Sequence, residues 1–233
     1  MDRSARIGQG ALRQRLLRQA ATDFRFLLSR NYPRKSALDF VGNRYQLSSA
    51  ERNILYRAVF TRQVSQARRA KIVRVSDIRG QRLIVDGYNC IITLENAMKG
   101  ALLVLADDGF VRDTGGIFRR FRQSKQTKEA WSLMARVFRR HGPLCVNILL
   151  DAPYARSGQL ASSMNRWMSE DRVPGQAKTV QGTEKALASI AGIKISADSI
   201  IIDNSDKVFD LAGHIIRYIL KRPLIRLDVL SSR

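Results

Sequence analysis

Apolar residues over the first thirty positions recur at intervals of three and four, at Leu12, Leu16, Leu17, Phe24, Leu27 and Leu28, with Arg13, Arg15, Arg18 and Arg25 between them. That spacing predicts a helix with one buried stripe, ended by Asn31 and Pro33. Ala37 to Leu47 reads as a compact, turn-rich stretch. Ser48-Ser-Ala-Glu51 is a capping box opening a second helix, with Ile54, Leu55, Ala58 and Val59 inward. A basic segment, Arg68 to Arg74, leads to Asp77-Ile-Arg-Gly80, where the pattern changes and a domain boundary is expected.

Beyond it the periods of strand and helix alternate. Gln81 to Asp86, Ala101 to Ala106, Cys145 to Leu150, Ala177 to Val180, Ile193 to Ser196 and Leu224 to Val229 read as strands. Helices are expected after the Thr127 cap (Trp131, Met134, Ala135, Val137 and Phe138 inward, Gly142 and Pro143 behind), over Leu160 to Met168, over Glu184 to Ile190, and over Val208 to Leu220. Strands alternating with helices imply crossover connections and a mainly parallel sheet with helices on both faces. The chain thus reads as a small basic all-helical domain, 1–78, followed by an α/β domain, 79–233.

Composition sharpens this picture. The chain carries 41 Lys and Arg against 20 Asp and Glu, a net charge of +21 over 233 residues. Residues 1–80 hold 18 of the cations and only 5 of the acids. Such an excess draws polyanions by releasing their condensed counterions, so nucleic acid is the expected partner, RNA in the form of tRNA or rRNA and the ribosome first. No apolar run approaches the ~20 residues that span a bilayer. Neither a lipidation signal nor a signal-peptide core is read at the termini, so no membrane partner and a cytoplasmic location are expected. Cys90 and Cys145 read as small apolar residues in a reducing compartment, and with only His141 and His214 beside them there is no zinc-type cluster. Whether the chain self-associates is left open.

Three of the strands run into aspartates: Asp86, Asp151 and, shortly after its strand, Asp198. In an open parallel sheet the carboxyl ends of the strands share one edge, where ligands bind. Carboxylates gathered there repel unless a cation lies between them, and a hard divalent ion, Mg²⁺ or Mn²⁺, is the expected occupant. Each aspartate alone also suits an ordinary helix cap. Asp107 and Asp108 follow the second strand and point to the same edge by this reading. Asp108 or Asp113 is the fourth acid, and Asp203 is either a ligand or a helix cap, with Asp206 close by.

Val85-Asp86-Gly87-Tyr88-Asn89 resembles the Asp-Gly-Tyr-Asn strand end of the NYN branch of the PIN-like nucleases, and Ser196-Ala-Asp198-Ser-Ile-Ile is similar to that superfamily's Thr/Ser-x-Asp element. The resemblance covers about residues 81–205. It implies a PIN-like fold, a metal-dependent endoribonuclease, metal-holding and catalytic roles for Asp86, Asp151 and Asp198, and Asn89 as a polar neighbour. Asp108 as a metal ligand departs from the superfamily's pattern, which has helix there. The whole chain also resembles an archaeal family of two-part proteins through Asp39-Phe-Val-Gly-Asn-Arg-Tyr-Gln-Leu47, a likeness that implies no activity.

Candidate RNA contacts are Arg13, Arg18, Arg44, Arg68 and Arg69 in the basic part, and Arg119, Arg120 and Arg122 around Phe121. Arg156 and Ser157 open a helix whose backbone N–H groups suit a phosphate equally with an ordinary capped turn. No glycine spacing matches a nucleotide-triphosphate loop. A topoisomerase-primase-like fold needs a glutamate where Asp86 stands. The reading that competes with a nuclease is a non-catalytic RNA- or ribosome-binding factor on the same scaffold.

Overall fold

The computed structural model describes residues 3–114, 121–152, 154 and 156–227, with side chains from residue 13 onward. Four helices come first: α1 (Arg3–Ser29), α2 (Arg34–Arg44), α3 (Ser49–Ala58) and α4 (Arg62–Arg69). The capping box before α3 forms as expected: Ser48 Oγ accepts from the Glu51 backbone N–H, and Glu51 answers the Ser48 N–H at 2.8 Å. The stretch expected to be turn-rich is instead α2. Gly42, which argued for a turn, serves there as a gap: a Cβ would meet the Arg52 guanidinium at 2.2 Å.

After a short 3₁₀ turn the chain enters β1 (Arg82–Asp86), α5 (Gly87–Met98), β2 (Leu103–Leu105), β3 (Val111–Asp113), α6 (Lys125–His141), β4 (Cys145–Asp151) and α7 (Ser157–Glu170). It continues through β5 (Gly175–Val180), α8 (Thr183–Ser189), β6 (Ile193–Ile195), α9 (Ser199–Asp203) and α10 (Leu211–His214), which runs into a π turn at Ile215–Ile219, and then β7 (Ile225–Arg226). The start of α6 differs slightly from expectation: Ser124 is its cap, and Thr127 is the third helical residue whose hydroxyl returns to the Ser124 N–H. Asp228 and Val229, expected to end the last strand, lie outside the described residues.

The main sheet has the order β5-β4-β1-β6, parallel at every pairing. Its strands are apolar on both sides because helices cover both faces. Leu83, Val85, Ile148 and Leu150 join the large core under α5, α6, α7 and α10, whereas Ile84 and Leu149 face Leu187 of α8 and Ile201 of α9. Gly87 lets α5 start directly off β1: a Cβ there would press on Leu150 and Ile148 at 2.7 and 2.8 Å.

A second sheet, β3-β2-β7, joins the basic helices to the rest. Val104, Ala106 and Leu227 complete the core formed by Leu17, Phe24, Val41, Leu55 and Phe60, so the helical part closes its apolar face on strands of the α/β part. Asp107 reinforces the join by accepting two hydrogen bonds from Arg25, at 2.6 and 2.7 Å, and one from the Phe60 N–H. The deepest link is ionic. Asp108 is fully buried and accepts from Arg112 Nη1 and Nη2, each at 2.8 Å, and from Arg68 Nη1 at 3.1 Å. Arg68 in turn grips both oxygens of Asp203 at 2.7 Å, binding α4 to α9. Among the described residues no helix is long and apolar enough to cross a membrane.

Removing one partner from a buried ion group strands the others in low dielectric, typically at a cost of about 3–5 kcal/mol. Asp108→Asn keeps the shape and discards the charge that holds two guanidinium groups. It is expected to lower the unfolding free energy by that amount, read as an earlier midpoint in urea denaturation.

Candidate active site

Because β1, β4 and β6 run parallel, their carboxyl ends open on one edge. The chain steps outward from β1 to β4 and β5, then crosses back to β6 on the far side of β1. A crevice opens where the order reverses. Asp86 ends β1 and Asp151 ends β4. Asp86 is paired with Leu149, two positions before Asp151, so by the period of two both acids continue the column of Ile84 and Leu149 facing α8 and α9. Asp198, three residues beyond β6, caps α9. All three acids line one open pocket of about 690 Å³, together with Tyr88, Asn89, Tyr154 and Thr183.

Backbone geometry holds the acids. Asp86 caps α5, its Oδ1 accepting from the Asn89 N–H at 3.2 Å, while its Oδ2 accepts from the Ser196 hydroxyl at 3.1 Å. That hydroxyl accepts in turn from the Asp198 N–H at 3.0 Å, and Asn89 Oδ1 accepts from the Ala197 N–H at 3.0 Å. Asp198 Oδ1 takes the first N–H groups of α9, from Ile200 at 2.8 Å and Ile201 at 3.4 Å. Two strand ends are thereby stitched together through Ser196 and Asn89.

Burial, with lesser contributions from the charges of Asp198 and Asp151, pushes the Asp86 carboxyl up to about 7 against the pull of its hydrogen bonds. Burial likewise raises the Tyr88 phenol to about 12 and shifts Tyr154 upward, so both hydroxyls are protonated donors at neutral pH. Tyr88 is only 4% exposed, stacked on Tyr154 with ring centres 4.5 Å apart and edge-on to Phe121 at 5.2 Å. Three buried polar atoms at this pocket, Asp151 Oδ1, Tyr88 Oη and Thr183 Oγ1, have no hydrogen-bond partner among the described residues. Native proteins rarely leave such atoms unpaired, and their gathering at one pocket marks it for a polar ligand. Among the described residues no three His, Cys, Asp or Glu side chains converge closely enough to chelate an ion between them. The donor set is nonetheless all oxygen and suits a hard cation that keeps part of its water shell.

Asp86, Asp151 and Asp198 are brought together as expected, and the other acids are not. Asp108 lies under Arg112 and Arg68, away from the pocket, with its lone pairs used by guanidinium groups. Asp113, the alternative, is buried beneath Thr93, Asn96 and Arg57. Asp203 neither lines the pocket nor caps the helix it precedes: Arg68 holds it, and Asp210 caps α10 through the Gly213 N–H. Asp206 is exposed beside Lys194.

The basic residues also divide. Arg68 is buried and committed to Asp108 and Asp203, so it is an internal tie and not a surface phosphate contact. Arg13 pairs with Glu51, Arg44 lies 3.7 Å from Asp23, and Arg69 donates to the Asp107 carbonyl, all three exposed. Arg18, Arg122 and Arg156 are exposed, and Arg156 takes a left-handed φ of 65° as the residue before α7. Ser157 is buried and donates back to the Ala152 carbonyl at 3.2 Å, which makes it part of the turn. Arg119 and Arg120 lie outside the described residues. Phe121 packs against the core through Tyr88 and is not a free stacking surface. The cysteines are free thiols: Cys90 is buried as expected, and Cys145 is partly exposed.

Ser196, Tyr88, Tyr154 and Thr183 escaped sequence reasoning as site residues. Tyr88 and Ser196 sit inside the two short motifs, which was their only signal; Tyr154 and Thr183 reach the pocket through loops that follow β4 and β5.

Residues 75–214 match the family described as Domain of unknown function (DUF5616), and residues 16–71 match Protein of unknown function (DUF434). The uncharacterized protein MJ0935 of Methanocaldococcus jannaschii is 29% identical over 208 residues, which cover 88% of this chain and 99% of that protein. No solved structure matches the chain.

An unfolded aspartate loses its proton near pH ~4, whereas folded Asp86 keeps it to about 7. Between these values the native state binds the extra proton, so stability falls as pH rises through that window and stays low above it. Asp86→Asn keeps the cap and removes the buried charge. It is expected to raise the melting temperature by roughly 4–8 °C at pH 8, corresponding to about 2 kcal/mol, and to leave it almost unchanged at about pH 4, as followed by calorimetry.

Proposed function

Starting from a chain that belongs to the DUF5616 family, we propose that it is a metal-dependent endoribonuclease with a PIN/NYN-like catalytic part, acting on structured RNA such as tRNA or rRNA. The observation that carries this reading is the pocket where Asp86, Asp151 and Asp198, from three separate strand ends, meet the unpartnered Asp151 Oδ1, Tyr88 Oη and Thr183 Oγ1. The strand order, first strand central with the second and third to one side and the fourth to the other, supports the PIN-like resemblance.

A bound Mg²⁺ or Mn²⁺ would supply water activation at neutral pH and neutralise charge on the phosphodiester. The residues for holding it are Asp151, with its open oxygen, and Asp198, with Asp86 between them. Their own negative field would repel an RNA backbone, which is why this reading requires a cation. Burial pushes the Asp86 carboxyl up to about 7 without a cation, and a divalent ion bound beside it would favour its charged form. Tyr88 and Thr183 offer hydroxyl donors to phosphate oxygens, and the chain's net charge of +21 supplies the long-range attraction.

A non-catalytic RNA- or ribosome-binding factor is the second reading. It is favoured by the absence, among the described residues, of three converged ligands and by the weight of positive charge in the first 80 residues.

With Mn²⁺ the purified protein is expected to cut members of a panel of tRNA, rRNA and single-stranded RNA, and EDTA to abolish cutting. Asp86→Asn and Asp151→Asn should each reduce the rate by about 100-fold or more. Since Asp86→Asn is expected to melt higher at pH 8, its loss of activity there would not be unfolding. A panel left uncut, or cutting by Asp86→Asn at the wild-type rate, would overturn the nuclease; co-sedimentation with ribosomes without cutting would favour the second reading.

A further inference from the structure

A second open pocket, of about 480 Å³, lies between the basic helices and the α/β part. It shares Asn89 and Asp198 with the acid pocket, so the two have a common wall. Arg34, Arg57, Arg68 and Arg112 line it, with Asp198 on the common wall and Asp113 paired to Arg57 at 3.8 Å. Three of these surround one ring: the guanidinium carbons of Arg68, Arg34 and Arg112 lie 4.4, 4.8 and 5.3 Å from the centre of Phe60.

Arg68 and Arg112 are committed to Asp108 and Asp203. Arg34 differs. Its Nη2 donates to the carbonyls of Tyr56 and Val59 at the end of α3, and among the described residues no carboxylate pairs with it. Burial, followed by the nearby charges of Arg68 and Arg112, lowers its pKa to about 10 against the opposing pull of Tyr56 and Asp108, so it stays protonated at neutral pH. Arg57 reaches the Asp113 carbonyl at 2.9 Å while also facing the pocket. Tyr56, 50% exposed, stands at the rim with Arg34 over its ring at 5.0 Å.

We propose that this pocket is a phosphate subsite of the RNA substrate, taking the phosphate next to the scissile one on Arg34 and Arg57 and stacking the attached base on Tyr56. The proposal rests on the nuclease reading of the adjoining acids. A strand that lays one phosphodiester against carboxylates has to place its neighbours elsewhere, and across the shared wall of Asn89 and Asp198 stands Arg34, a guanidinium with no carboxylate pair among the described residues. Guanidinium groups suit phosphate oxygens through their planar fork of donors. The basic helices would then contribute directly to the site as well as raising the overall affinity.

The test uses the full-length chain carrying Asp86→Asn, with Mn²⁺, so that binding is read without cutting, and a fluorescein-labelled single-stranded 12-nucleotide RNA followed by anisotropy. Adding Arg34→Gln is expected to weaken binding about 10-fold and to reduce the slope of log affinity against log salt by about one. Tyr56→Ala, at a half-exposed ring, should weaken binding roughly 5- to 100-fold with little change in that slope. Arg140→Gln, an exposed cation on α6 outside both pockets, removes the same charge and should change binding less than 2-fold. Thermal melts identify a variant that fails to fold, and if Arg34→Gln does, Tyr56→Ala decides. Equal losses for Arg34→Gln and Arg140→Gln, or no loss for Tyr56→Ala, overturn the subsite. Cutting by the otherwise wild-type chain with unaltered binding in the variants removes the subsite and leaves the nuclease. Weakened binding in the variants without any cutting by the wild-type chain keeps the pocket as an RNA site and removes the nuclease.

Discussion

A single buried carboxylate, Asp108, holds the guanidinium groups of both Arg112 and Arg68, and Arg68 carries the link onward to Asp203. Placing these charges out of water is costly, and the arrangement holds because nearly every donor finds an oxygen: Arg112 Nε reaches the Ala197 carbonyl at 2.9 Å, and Arg68 Nη1 also reaches Ser199. The group spans α4, the turn after β2, β3 and the segment leading into α9. It therefore fixes the basic helices against the loop that delivers Asp198. Apolar packing of the helices on Val104, Ala106 and Leu227 would allow sliding, whereas directed ionic hydrogen bonds set one register.

That register has consequences on both sides of Asp198. On one side the parallel strands aim Asp86 and Asp151 at α8 and α9, and Ser196 joins Asp86 to the Asp198 backbone. On the other side the docked helices bring Arg34, Arg57 and Tyr56 up to the same wall. A carboxylate-lined pocket and a guanidinium-lined one are thus held side by side by internally paired charges. Asp86 and Asp198 each cap a helix start, where backbone N–H groups offset part of the repulsion among the acids.

Periodicity made the α/β part legible where faces differ in polarity, as in α6 and α7, and where apolar runs are short and bounded, as in β1 and β4. It was silent where that contrast is missing. In α5 most residues from Gly87 to Ala97 are buried, so no polar face marks the helix. The segment that forms α4 received no helix reading, and only its end at Arg68 and Arg69 fell within the stretch read as basic. Ala37 to Leu47 read as turn-rich, yet most of it is α2, and the space beside Gly42 is filled by Arg52, ten residues further along.

Chemistry divided along a similar line. Aspartates at the ends of apolar runs, in a chain of +21, were enough to point to a carboxylate edge and a polyanion, because strand direction and net charge are properties of local pattern and composition. The roles of individual charges were not local. Asp107, Asp108, Asp203 and Arg68 look in sequence like Asp86, Asp198 and Arg34, and all stand near the ends of elements. Only the docking of the helices on the second sheet assigns the first set to internal pairs and turns the second toward open pockets. An ion pair depends on which opposite charge arrives within reach: Arg112 lies four positions from Asp108, whereas Arg68 reaches Asp108 and Asp203 from 40 and 135 positions away.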